Sequence, residues 1–154
     1  MKTVTFCGHS SLQHSNYEQI RKQLYGVLDE LIQKGARDFL IGGNGEFDRM
    51  CAIAVGFFKM KNPHISCILV TPKVCRDYDK DLYDRNEHPA LGRVPKKYLI
   101  SKRNEYMADR ADVVIAYVTH SIGDSHKMLA YAESRNKRII HLSDSYIDIL
   151  PANC

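Results

Sequence analysis

Asp38-Phe39-Leu40-Ile41-Gly42-Gly43-Asn44-Gly45-Glu46-Phe47-Asp48 is the stretch that decides the fold. A short apolar run meets three glycines in four residues, and helical periodicity begins directly after them. The apolar positions that follow are Met50, Cys51, Ile53, Ala54, Phe57 and Phe58, one stripe of a helix that Asn62-Pro63 ends. A buried strand turning tightly into an amphipathic helix is the first half of a β-α-β unit.

The same alternation continues outward in both directions. Upstream, Thr3-Val4-Thr5-Phe6-Cys7 is β-rich and stops at Gly8. From Tyr17 to Lys34 the apolar residues Ile20, Leu24, Val27, Leu28, Leu31 and Ile32 recur every three or four positions, and Gly35 is the expected C-cap. Downstream, Ile65 to Thr71 is apolar almost throughout, as suits a strand covered on both faces. A third helix is expected from about Ser101 to Arg110 and a fourth strand from Asp112 to Val118. A fourth helix, with Ser125 as its N-cap, runs to Asn136, and a fifth strand spans Arg138 to Leu142. Residues 72–97, with Pro72, Pro89 and Pro95, read as an irregular connection, either a solvated excursion or a functional loop. Strands that alternate with helices require parallel pairing and right-handed crossovers. The expected architecture is therefore one α/β domain over residues 1–154, a Rossmann-like three-layer fold. Its sheet has five parallel strands in the order 3-2-1-4-5. Ligands of such sheets bind at the carboxyl edge beside the switch point, here between strands 1 and 4.

Composition narrows the class. With 154 residues, 44% apolar and 26% charged, the chain can build a core without staples. Cys7, Cys51, Cys67, Cys75 and Cys154 are odd in number and show no CxxC spacing, so neither a disulfide framework nor a metal site is expected. No apolar run reaches the ~20 residues of a membrane span, and the first residues open a strand with no secretory pattern, so the expected location is the cytoplasm, away from membranes. A net charge of +4 permits an anionic partner. There is no basic stripe interleaved with aromatics, so nucleic acid is not expected as a partner.

Candidate binding residues lie where the strands end. Gly8-His9-Ser10 follows the first strand, and Gly42-Gly43-Asn44-Gly45 follows the second. Free amides at a helix start attract anions, and glycine admits a phosphate closely. A tight turn without ligand is the competing reading. Glu46 and Asp48 suit a ribose, whose hydroxyls a carboxylate accepts, better than a phosphate. Thr119, His120 and Gly123 follow the fourth strand, and Arg103 with Asn104 opens the third helix. Arg103 offers a planar fork to phosphate. GxGxxG and GxxxxGK[ST] are absent, which removes support for dinucleotide dehydrogenases and P-loop enzymes.

Taken jointly, Thr3 to Ser10, Gly42 to Asp48, Ile100 to Met107 and Asp112 to His120 resemble the SLOG superfamily, named for the Smf/DprA proteins and the Lonely Guy enzymes. The similarity is greatest to its small bacterial branch. The resemblance implies a Rossmann-like fold that binds a nucleotide or nucleotide-derived ligand at the glycine loops. Lonely Guy enzymes cleave the N-glycosidic bond of cytokinin nucleoside monophosphates with a PGGxGTxxE signature. Here Ser121-Ile122-Gly123-Asp124-Ser125-His126-Lys127-Met128 stands in that place, without the proline-glycine pair or the glutamate. A non-enzymatic nucleic-acid or protein partner, with Arg76 to Arg93 and Lys96-Lys97 as its surface, is the least favoured of three readings, and two stand above it. One is a binding or sensing domain with no catalytic set and no cofactor. The other is an N-glycosidase or phosphoribohydrolase in which Glu46 and Asp48, the acids of the glycine loop, stand beside the ribosyl carbon. Related folds often self-associate, so a homo-oligomer is among the expected states.

Overall fold

The structure is a computed structural model that describes residues 2–9, 11–12, 14–119 and 121–143, the side chains of residues 14 and 15 excepted. The elements run β1 (Thr3–Gly8), α1 (His14–Gln33), β2 (Asp38–Ile41), α2 (Glu46–Lys59), β3 (Ser66–Val70), β4 (Arg85–Glu87), a 3₁₀ turn (Lys96–Tyr98), α3 (Leu99–Arg110), β5 (Val113–Tyr117), α4 (Asp124–Ser134) and β6 (Arg138–His141). All strand pairs are parallel, in the order β4-β3-β2-β1-β5-β6.

Side chains of a strand alternate between faces, and here the alternation sorts the core into two layers. Val4, Phe6, Phe39, Ile41, Cys67, Leu69, Val113 and Ile115 meet Ile20, Leu24, Leu28 and Leu31 of α1 and Phe47, Met50, Cys51 and Ala54 of α2. Cys7, Leu40, Ile68, Val70, Val114 and Ala116 meet Met107 and Ala108 of α3 and Met128 and Ala132 of α4. Leu24 and Leu28 are fully buried, and burial of each contributes roughly 1.5–3 kcal/mol. The second layer is built on smaller residues, so α3 and α4 pack close to the sheet. The α1 stripe ends as expected. Past Gln33 the Gly35 and Ala36 amides donate back to the Ile32 and Leu31 carbonyls, the paired bonds of a Schellman turn.

The Rossmann-like class holds, and the expected order 3-2-1-4-5 is present, but the sheet has six strands where five are expected. The extra strand, β4, lies inside the irregular 72–97 segment and extends the β3 edge. It carries only Arg85, Asn86 and Glu87, with no apolar alternation to announce it. Polar side chains fix it instead. Asn86 Nδ2 donates to the Leu69 carbonyl (3.0 Å) and accepts the Cys75 amide at its Oδ1 (2.8 Å). Asp84 accepts the Cys67 amide (2.7 Å) and pairs with Lys59.

Two smaller expectations are also corrected. Gly123, not Ser125, caps α4; Ser125 lies in the first turn and donates its hydroxyl to the Gly8 carbonyl. Phe57, expected in the core, is 51% exposed on the outer side of α2. None of the described helices is long and apolar enough to cross a membrane.

Candidate functional site

The crossover between β1 and β5 leaves a cleft of about 540 Å³ at their carboxyl ends, closed on one side by the start of α2 and on the other by the starts of α3 and α4. Of the residues expected at a site, Gly8, His9, Asn44, Gly45, Asp48, Arg103, Asn104 and Gly123 line it. Ser10 and His120 lie outside the described residues.

Arg103 is the unusual member. It is 2% exposed, the largest fully buried side chain among the described residues. Nη1 donates to the Gly42 carbonyl at the end of β2 and to the Val70 carbonyl at the end of β3, both at 2.9 Å. Nε donates to Asn104 Oδ1 at 2.9 Å. Because Nε can only donate, this bond fixes the Asn104 amide with its oxygen inward and its Nδ2 donor free. Nη2 of Arg103 and Nδ2 of Asn104 therefore hold no acceptor among the described residues, and both side chains line the cleft. Burial lowers the affinity of the guanidinium for its proton, and Asp48 and Asp124 oppose that shift. A desolvated cation with spare donors gains from an incoming anion.

The glycines serve the protein's own packing first. A methyl on Gly8 would sit 2.1 Å from Phe47 Cδ2, and one on Gly42 would sit 3.0 Å from Arg103 Cζ. Gly42 and Gly43 do not line the cleft. Gly42 gives Arg103 its seat, and Gly43, at φ +73°, turns the chain against Leu69. Of the three glycines expected around a ligand in that loop, Gly45 alone lines the cleft.

The two acids separate. Glu46 is exposed, does not line the cleft, and accepts the Leu12 amide at 3.1 Å, so it anchors the loop after β1. Asp48 lines the cleft and accepts the Asn44 amide at 3.0 Å. Its surface still meets solvent through the cleft mouth, but protein crowds it on the other sides, and this burial raises its pKa against the bonds that lower it. Thr119 is exposed and does not line the cleft. Its amide donates to His9 Nε2 at 2.6 Å, which leaves that nitrogen without a proton and the ring neutral. His9 itself is 9% exposed.

Sequence reasoning missed Asp124, Ser125, Ile122 and Met128, which line the cleft from the start of α4. The signal was available, because a helix that begins at a sheet's switch point presents its first turn to the ligand side. Cys7 also lines the cleft, but its Sγ donates to the Ser125 carbonyl, and burial pushes its pKa up to about 12. A thiol so held is not a nucleophile at neutral pH. Among the described residues no cluster of three or more histidines, cysteines or acids is arranged to hold a metal ion.

This architecture has solved counterparts. DNA processing protein A (DprA) from Streptococcus pneumoniae superposes with a TM-score of 0.64 at 19% identity, over 99% of this chain. DprA from Helicobacter pylori, whose structure was described for its single-stranded DNA binding mode, gives 0.65 at 15% identity over 94% of this chain. The chain has the fold of this part of the DprA proteins. It spans 54% and 66% of the lengths of those two proteins, so the likeness is to part of each. In sequence, the uncharacterized SPbeta prophage-derived protein YoqJ of Bacillus subtilis is 28% identical, over 75% of this chain and 81% of that one. No protein-family model matches the chain. The expectation that nucleic acid is not a partner does not survive this comparison. A neighbour with the same fold binds single-stranded DNA, so a modest net charge is no argument against it.

Proposed function

We propose that the SLOG-fold cleft binds a nucleotide or nucleotide-derived ligand, with Arg103 and Asn104 taking its phosphate. The observation that carries this reading is the buried Arg103, whose Nη2 remains unpaired at the wall of a cleft at the sheet's switch point. Asp48 accepts ribose hydroxyls, and Ile122, Met107 and Met128 supply an apolar surface for a base. The Helicobacter pylori neighbour, described for its single-stranded DNA binding mode, supports it at the level of fold, since a single strand presents phosphate and base nucleotide by nucleotide. Of the carboxylate-free segment from His88 to Asn104, Ile100, Arg103 and Asn104 line the cleft.

Thermal melting against a panel of nucleotides and a short oligodeoxythymidine tests the proposal. Ligand at about a hundred times its Kd stabilises by about 2.7 kcal/mol, a rise of several degrees for a domain of this size. An unchanged melting temperature with every nucleotide and the oligonucleotide at millimolar concentration would refute the assignment.

A second reading, hydrolysis of a nucleoside monophosphate at the N-glycosidic bond, draws support from Asp48 alone. A carboxylate beside a ribosyl carbon stabilises its oxocarbenium-like transition state, and Asp48 is the glycine-loop acid in the cleft. If free base is released, Asp48→Asn should abolish release while Glu46→Gln, which keeps an acceptor for Leu12, retains it. Equal turnover in the Asp48→Asn variant removes this reading.

A further inference from the structure

We infer that the cleft selects a ribosyl ligand carrying a single negative charge, a phosphodiester such as a cyclic nucleotide or an internucleotide linkage, and that Asp124 excludes phosphomonoesters and polyphosphates. This rests on the nucleotide-binding reading and specifies its ligand class.

The charged side chains that line the cleft are Arg103, Asp48 and Asp124; no lysine lines it, and His9 is held neutral by the Thr119 amide. Phosphate sites at helix N-termini depend on free amides and roughly half a positive charge from the helix. Three helices open on this cleft; α3 has no acid in its first turn and contributes Arg103 and Asn104, but the other two oppose that use. α2 starts with Glu46 and Asp48, and Asp48 already occupies the Asn44 amide. α4 starts with Asp124, directly after the cap residue Gly123. Asp124 is exposed and has no hydrogen bond or ion pair among the described residues; the cation it acts on is Arg103. With Asp48 ionised, the cleft holds two carboxylates to one guanidinium. With Asp48 protonated, Asp124 still balances Arg103. In neither state is there positive charge to spare.

The free donors match this balance. Arg103 Nη2 and Asn104 Nδ2 suit the two non-bridging oxygens of one phosphodiester, which share a single charge. A phosphomonoester at neutral pH carries about −1.5 to −2. Its second charge would meet no cation and would face Asp124. The carboxylates, by contrast, are acceptors for ribose hydroxyls, which a cyclic or internucleotide ligand keeps in part.

Isothermal titration with cyclic AMP, the dinucleoside phosphodiester ApA, AMP and ATP, on the wild type and on Asp124→Asn, provides the test. Cyclic AMP or ApA should bind at least about tenfold more tightly than AMP, and ATP should bind most weakly. Whichever phosphodiester is tighter identifies a free nucleotide or a strand as its source. Asp124→Asn should raise AMP and ATP affinity about tenfold and change cyclic AMP affinity by less than about twofold. Acidification below the second phosphate pKa of about 6 should bring AMP toward the phosphodiesters. If AMP or ATP binds the wild type as tightly as the phosphodiesters, or Asp124→Asn leaves the ratios unchanged, the charge selection is wrong although the nucleotide reading stands. If none of the four binds, both fall.

Discussion

Gly8→Ala is expected to destabilise the protein by about 3 kcal/mol or more, at the upper end of overpacking effects. The added methyl would lie 2.1 Å from Cδ2 and 2.5 Å from Cγ of Phe47, contacts that require something to move. Phe47 is fully buried and packs against Tyr117 on β5, so its ring has nowhere to swing. The start of α2 must shift instead, carrying Gly45 and Asp48 away from the cleft. Urea denaturation measures the loss. Phe47→Leu introduced with Gly8→Ala should recover part of it, with a coupling of about 1 kcal/mol or more between the two sites. A Gly8→Ala protein within about 0.5 kcal/mol of the wild type would show that β1 and α2 do not meet in this way.

Arg103→Met is expected to damage both stability and binding. Methionine fills comparable space but strands the Gly42 and Val70 carbonyls, which share Nη1. An unsatisfied buried acceptor costs about 1–3 kcal/mol, so the pair should lose about 2–5 kcal/mol in chemical denaturation. Arg103→Lys separates the two roles. A single ammonium can keep one carbonyl satisfied yet has no planar fork for the ligand. Nucleotide affinity should therefore fall more than about tenfold even in a protein that remains folded. Full affinity in the folded lysine variant would assign Arg103 a purely structural role.

These residues also show what sequence can and cannot tell. The three-layer fold was legible because period-two strands and period-3.6 helices follow one another cleanly, from Thr5 on β1 to Ala132 on α4. The strand β4 was not, because three polar residues held by Asp84 and Asn86 carry no hydrophobic period. Glycine at a strand end signals close approach without saying what approaches. At Gly8 it is Phe47, and at Gly42 it is Arg103. Glu46 and Asp48 looked equivalent in the string, yet two residues along a helix point in nearly opposite directions, so only one could face the cleft. Asp124 carries no separate signal, because an acid at a helix start suits the helix dipole whether or not a ligand is near. The modest total charge was a poor guide to a nucleic-acid partner because it averages the acids concentrated in residues 77–87 with the five cations of the carboxylate-free segment from His88 to Asn104.

The most direct test of the proposed site is amide chemical-shift mapping during titration with cyclic AMP. Perturbations should gather at Gly8 and His9, at residues 44–48, at Arg103 and Asn104, and at residues 123–125, and they should spare the outer faces of α1 and α2. Shifts centred instead on Arg21, Tyr25 and Phe57, or no shifts at saturating nucleotide, would contradict the assignment of this cleft.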